Sequence, residues 1–307
     1  MPTVAENLSM WNDAQFWSQN GDEWSEAWGG TKLLWITTVL PRIRPFLPAR
    51  TILEIAPGHG RFTQFLKNYC ERLFVVDLSP LCIEACRKRF SGETHINYYA
   101  NDGKSLAMIA DESVDFAFSF DSLVHVEADV LETYAAQLAR KLRPEGVGFL
   151  HHSNIGCYPR SVALCRRIPE RAGDSSWLHL MFRALGRDGG FPLRSYLMSK
   201  GVLINTTGLR GNSVTAEKFA AICQRVGLCC IYQERISWAY GRFLIDCLSI
   251  FTRKGSSWER SNRVWDNPDF VRDARKVSRL AGQLPPRSTC ARARELPRSR
   301  QPDVFSA

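Results

Sequence analysis

The chain has 307 residues, 45% of them apolar, with a mean hydropathy of −0.22, the size and composition of one large domain with additions. No apolar run reaches the length of a bilayer span, so no membrane partner is expected. The first thirty residues, with Asp13, Asp22, Glu23 and Glu26, do not read as a signal peptide, and ten cysteines without an export signal point to reduced thiols and a cytoplasmic location. The formal charge of +9 is unevenly divided: residues 1–153 carry 14 Lys/Arg against 19 Asp/Glu, residues 154–212 carry 9 against 3, and residues 253–307 carry 13 against 6. A nucleic-acid enzyme would carry basic charge around its active-site mouth, so this distribution argues against a nucleic-acid partner.

In chain order, residues 1–50 hold five of the nine tryptophans. Trp17, Trp24, Trp28 and Trp35 are spaced 7, 4 and 7 apart, which suits one face of a helix or of two short ones. This predicts either a helical layer packed on the body or an aromatic lid hinged at Trp28-Gly29-Gly30. From Thr51 the pattern alternates strand and helix. Strands are predicted near 51–56, 73–77, 96–100, 114–120 and 146–152, and helices near 61–70, 80–90 and 129–142, with Arg143-Pro144-Glu145-Gly146 as a turn. A helix start at Ser213-Val214-Thr215-Ala216-Glu217 predicts a helix over 213–226. Two strands follow, near 228–238 and 244–252, and Tyr240-Gly241-Arg242 makes their connection tight, so they should pair antiparallel. Residues 154–212 form an insert with Arg160, Arg166, Arg167, Arg171, Trp177, His179, Arg183, Arg187 and Arg194, either a solvated basic face or a site for an anionic group. Residues 254–307, rich in Arg, Pro and Ser, are expected to be a disordered basic tail.

The informative stretch is 51–60, Thr-Ile-Leu-Glu-Ile-Ala-Pro-Gly-His-Gly. A buried strand there ends in a Gly58-x-Gly60 turn and runs at once into a helix start, an arrangement that offers backbone amides to a nucleotide. Glu54 lies four residues before Gly58. The next apolar run ends in Asp77, nineteen residues after Gly58, where a carboxylate can take both hydroxyls of a ribose. Asn101-Asp102-Gly103 follows the third strand, and Phe120-Asp121-Ser122-Leu123 closes the fourth. A nicotinamide-dependent Rossmann enzyme would need a third glycine where this chain has Thr63, and it leaves Glu54 unexplained.

Taken together, these features resemble the class I S-adenosylmethionine-dependent methyltransferases over roughly residues 51–153 and 213–253. The resemblance implies an α/β, Rossmann-like sheet of seven mostly parallel strands with the last one antiparallel, over residues 51–253. It implies S-adenosylmethionine as cofactor, with Gly58 and Gly60 admitting its methionine part and Glu54 facing its ammonium group. Asp77 then binds the ribose, Leu78 packs on the adenine, and Asp102 accepts from the adenine amino group. Ala56, Pro57, Asn101, Gly103 and Phe120 complete the expected cofactor set.

Methyl transfer requires nucleophile, methyl and sulfur in line, and a hydroxyl nucleophile also requires a base. The candidates are His125 and His152, with Asp121 as orienter. His151 and His152 point to opposite faces of their strand, so only one reaches the pocket. These groups could instead hold a divalent cation, but no convincing metal spacing is present and none is expected. The sequence therefore reads as an O-methyltransferase of a small or glycan-type, possibly anionic acceptor. Nitrogen or carbon methylation by the same fold, and a non-catalytic cofactor-binding or interaction protein, stay open as alternatives.

Overall fold

The computed structural model describes residues 3–168, 193–200, 202–204, 210–238 and 243–283. Arg171, Trp177, His179, Arg183, Arg187, the Tyr240-Gly241-Arg242 connection and everything after Gln283 lie outside the described residues.

Helix α1 (Val4–Trp11) opens the chain, held by a capping box in which Thr3 accepts from the Glu6 N–H and Glu6 accepts from the Thr3 N–H. Short helical turns follow, including α2 (Thr31–Leu34) and α3 (Leu40–Ile43), before the first strand. The sheet is built from β1 (Ala49–Ile55), β2 (Cys70–Asp77), β3 (Ile96–Ala100), β4 (Val114–Ser119), β5 (Leu142–Ser153), β6 (Leu228–Ile236), β7 (Asp246–Arg253) and β8 (Arg263–Asn267). Between them lie α4 (Thr63–Leu66), α5 (Pro80–Arg89), α6 (Ala128–Lys141), α7 (Pro159–Arg167), α8 (Leu193–Ser199) and α9 (Ala216–Arg225), with α10 (Phe270–Gln283) at the end. The strand order is β3-β2-β1-β4-β5-β7-β6-β8. Neighbours pair parallel except β7, which runs antiparallel to both β5 and β6. The order reverses at β1, and there the carboxyl ends of β1 and β4 part to leave a crevice.

Strand β5 starts at Leu142, so Arg143-Pro144-Glu145-Gly146 lies in the strand and not in the expected turn. A register shift between Val114 and Phe116 absorbs the irregularity. Two apolar layers cover the sheet. Phe118 and Phe149 pack on one face with Trp28, Trp35 and Phe62, while Leu53, Leu150 and Phe219 pack on the other with α6 and α9. A small third cluster joins Val162 and Cys165 of α7 to Met198, Leu203, Ile204 and Ile245.

The expected disordered tail is corrected over residues 263–283. Strand β8 pairs parallel with β6 from Tyr232↔Arg263 to Ile236↔Asn267, making the sheet eight-stranded. Helix α10 buries Phe270, Val271 and Ala274. Their spacing places three apolar groups on one face of an otherwise charged helix, a signal that the Arg-rich composition of the segment masks. The buried Glu234 secures the junction: Arg42 Nε and Nη2 donate to it at 2.6 and 2.7 Å, and Asn267 Nδ2 donates at 2.8 Å. The amino-terminal layer and the β8–α10 segment are thereby tied to one strand of the sheet. Phe270→Ala should cost about 3–5 kcal/mol in denaturant unfolding; an unchanged midpoint would mean that α10 does not belong to the core.

Candidate active site

The glycine turn shapes the crevice. Ala56 has φ +56°, Gly58 +60° and Gly60 +86°. For Ala56, which carries a Cβ, the left-handed conformation costs about 1–2 kcal/mol. Its N–H donates to the Val76 carbonyl at 2.7 Å and its carbonyl accepts from Ser122 Oγ at 2.7 Å, which hold it there. Asp77 clamps the turn from β2: Oδ2 accepts from the Gly58 N–H at 3.1 Å and Oδ1 from the Ser79 N–H at 2.8 Å. Burial pushes the Asp77 carboxyl up to about 6 against those hydrogen bonds. Glu54 is 1% exposed, accepts from Thr63 Oγ1 at 2.6 Å, and is pushed by burial up to about 8.

A cavity of about 550 Å³ opens over this turn. Glu54, Ala56, Pro57, Gly58, Asp77, Leu78, Gly103, Phe120, Asp121 and His125 of the expected set line it. Gly60 does not; a Cβ there would lie 2.5 Å from Phe90, so this glycine serves the approach of the turn to the region beyond α5. Asn101 also lies behind the wall, its Nδ2 donating to the Ser105 carbonyl at 2.9 Å and Tyr134 Oη at 3.1 Å. The expectation for Asp102 is corrected: it is exposed, and its Oδ1 accepts from the Lys104 and Ser105 N–H groups at 2.9 and 2.6 Å, outside the cavity. An acid-glycine pair after a strand serves a local turn as readily as a ligand.

The expectation for His152 is corrected as well. It is fully buried on the α9 side, 4.5 Å from the Phe219 ring centroid, with Ser153 O and Ser249 Oγ each 2.8 Å from its ring nitrogens. Burial pulls its pKa down to about 4. The alternation of β5 gives the pocket side to His151, which shares the face of Phe149. His151 Nδ1 accepts from the Asp121 N–H at 3.0 Å, so Nε2 carries the hydrogen and faces Asp246 Oδ2 at 3.6 Å. Arg210 Nε and Nη2 donate to the two Asp246 oxygens at 2.7 and 2.8 Å. Burial works to raise the Asp246 carboxyl, but the Arg210 guanidinium and His151 hold it well below the usual carboxylate range. Asp121, at φ +60°, is paired with Arg61 Nη2 at 2.8 Å and not with a histidine.

Sequence reasoning missed Arg61, Arg210 and Trp238, all lining the cavity. Arg61 directly follows the glycine turn and was legible by position; Arg210 and Trp238 come from distant segments that only the tertiary fold brings in. Of the insert arginines, Arg160, Arg166 and Arg167 are exposed on α7 and stay outside the cavity. The tryptophans of the first fifty residues divide. Trp11, Trp17 and Trp24 line the cavity, whereas Trp28 and Trp35 are buried in the core. Trp17 stacks on His59 at 4.3 Å and covers Gly58, where an added Cβ would lie 2.4 Å from the indole. Among the described residues, no group of three or more His, Cys, Asp or Glu could hold a metal ion, and no helix is long and apolar enough to cross a membrane.

A ribose-ready carboxylate at a strand tip, glycine-turn amides and a buried carboxyl in want of a cation fit an adenosyl amino acid. Residues 53–150 match the family described as Methyltransferase domain. Over this stretch, about a third of its length, the chain carries a methyltransferase domain of the S-adenosylmethionine-dependent kind. Nodulation protein S of Sinorhizobium fredii is 29% identical over 100 residues, 32% of this chain and 45% of that one, so the chain matches less than half of that relative's length. The PH0226 protein of Pyrococcus horikoshii shares the fold, with a TM-score of 0.51, 16% identity, and coverage of 80% of this chain and 99% of that one. The N-methyltransferase NodS from Bradyrhizobium japonicum, solved with S-adenosyl-L-homocysteine, aligns with a TM-score of 0.43 and 18% identity over 81% of this chain and 96% of that one.

Glu54 gives the site a pH signature. Its folded pKa of about 8 exceeds its ordinary value of 4.5, so the folded state holds an extra proton between those values and loses stability as pH rises through that window. Glu54→Gln should therefore melt several degrees above wild type at pH 8 while the two converge near pH 5. Parallel melting curves at both pH values would show that Glu54 does not carry this proton.

Proposed function

We propose that the protein transfers the methyl group of S-adenosylmethionine to a nitrogen of a small, glycan-type acceptor. The observation that carries this reading is the prior commitment of the groups at the ends of β4 and β5. Asp121 is paired with Arg61, His151 Nδ1 holds the Asp121 N–H, and Asp246 is bound by Arg210. Each of these groups is already engaged by a neighbouring side chain or backbone group. A neutral amine attacks through its lone pair and needs no base before the transfer, whereas a hydroxyl does. The description of NodS as an N-methyltransferase agrees with this choice.

In this reading S-adenosylmethionine supplies an electrophilic methyl on a sulfonium. Asp77 binds the ribose, Glu54 holds the ammonium, and the Gly58 turn lets the backbone approach. Trp11, Trp17 and Trp24 exclude water from the reacting atoms. Asp121 and Phe120, fixed from behind by His151, set the wall against which the acceptor is aligned. Methylation of a hydroxyl is the second reading. It is favoured by His125, which lines the cavity with its ring 5.3 Å from that of Trp11 and would act as the base.

The test is a screen of paired amino and hydroxyl sugars with methyl-labelled S-adenosylmethionine, followed by localisation of the label. Label on nitrogen, with turnover within about threefold of wild type in His125→Ala, is the expected result. Label on oxygen, with a loss of about a hundredfold or more in His125→Ala, would replace this reading by the second.

A further inference from the structure

Asp102 stands outside the cavity, so the adenine amino group needs another partner. Asn7 of α1 lines the cavity and is 6% exposed. Its orientation is fixed by Nδ2, which donates to the Thr3 carbonyl at 3.2 Å and to the His125 carbonyl at 3.0 Å. Two carbonyls can only be met by the NH₂ end, so the amide cannot be flipped, and Oδ1 is left buried without a hydrogen-bond partner. A buried acceptor left without a partner is destabilising, and a ligand donor would relieve it.

The position suits the base end of the cofactor. With the ribose on Asp77, the base extends toward Leu78 and Gly103, both in the cavity wall on the β3 side of β2. Helix α1 closes over that corner: a Cβ on Gly103 would lie 2.9 Å from Val4 Cγ1 and 3.2 Å from Leu78 Cδ1. Asn7 is three residues beyond Val4, on the same face of α1. We infer that Asn7 Oδ1 accepts a hydrogen bond from the adenine 6-amino group, so that the amino-terminal helix, outside the matched domain, selects adenine. This rests on the cofactor reading.

A 6-amino group donates to Oδ1, whereas the 6-oxo group of the inosine analogue presents a second acceptor to it and is repelled. The experiment is calorimetric titration of the full chain with S-adenosyl-L-homocysteine and with S-inosyl-L-homocysteine. Wild type should prefer the adenosyl ligand by about tenfold or more. Asn7→Ala should weaken adenosyl binding by about three- to tenfold, leave inosyl binding unweakened or tighter, and so collapse the preference. Asn7→Asp separates recognition from anchoring of α1, because it keeps the acceptor oxygen and loses both Nδ2 bonds. It should retain the preference even if both ligands bind more weakly. A preference that survives in Asn7→Ala, or that is lost in Asn7→Asp as fully as in Asn7→Ala, overturns the assignment. Failure of wild type to bind either ligand overturns the cofactor reading itself.

Discussion

The site depends on one carboxylate. Asp77 ends β2 and holds the Gly58 N–H on one oxygen and the Ser79 N–H on the other, so the turn after β1 and the cap of α5 share a single buried anion. Ser79 in turn caps α5 by accepting from the Cys82 N–H at 3.1 Å. With these contacts in place Ala56 keeps its left-handed conformation, Gly58 lies open toward the cavity, and the crevice at the sheet's switch point has its floor. The cost is a carboxylate kept out of water, visible in its pKa of about 6.

Around this fixed floor the walls come from segments that the methyltransferase core lacks. Trp238, at the end of β6, lines the cavity and touches Trp28 from the amino-terminal layer, 5.0 Å between ring centroids, and Phe270 from α10, 6.0 Å and stacked. Glu234, two turns of strand earlier, binds Arg42 and Asn267. The amino-terminal layer and the β8–α10 segment thus meet at β6, beside the cavity wall formed by Trp238. A rigid floor with walls added from outside the core is a physical route to changing the acceptor while keeping the cofactor.

The floor was legible in the sequence because its signals are local. An apolar strand, the Gly58-x-Gly60 turn and a second strand ending in Asp77 each follow from neighbouring residues, and their spacing fixes their meeting at one sheet edge. The failures share a different cause. Alternation puts His151 and His152 on opposite faces, but which face lies behind the cavity is decided by packing: His151 lies against Phe120 and Trp238, and His152 against Phe219. Asp102 carries the residue types of a ligand contact, but its oxygen satisfies two amides of its own turn. Strand β8 and α10 lie in an Arg-rich segment interrupted by Pro268, and the pairing of β8 and the packing of α10 depend on partners some thirty and more than two hundred residues away. Arg210 could not be assigned because its partner Asp246 is thirty-six residues distant and belongs to the antiparallel strand.

The most direct test of this account is calorimetric titration of S-adenosyl-L-homocysteine into wild type and Asp77→Ala, with thermal melting as a check on folding. The account predicts one site in wild type and at least about a tenfold loss of affinity in a variant that still melts cooperatively, because two charge-assisted contacts to the ribose are removed. Equal affinity in the two proteins, or no binding to wild type, would contradict it.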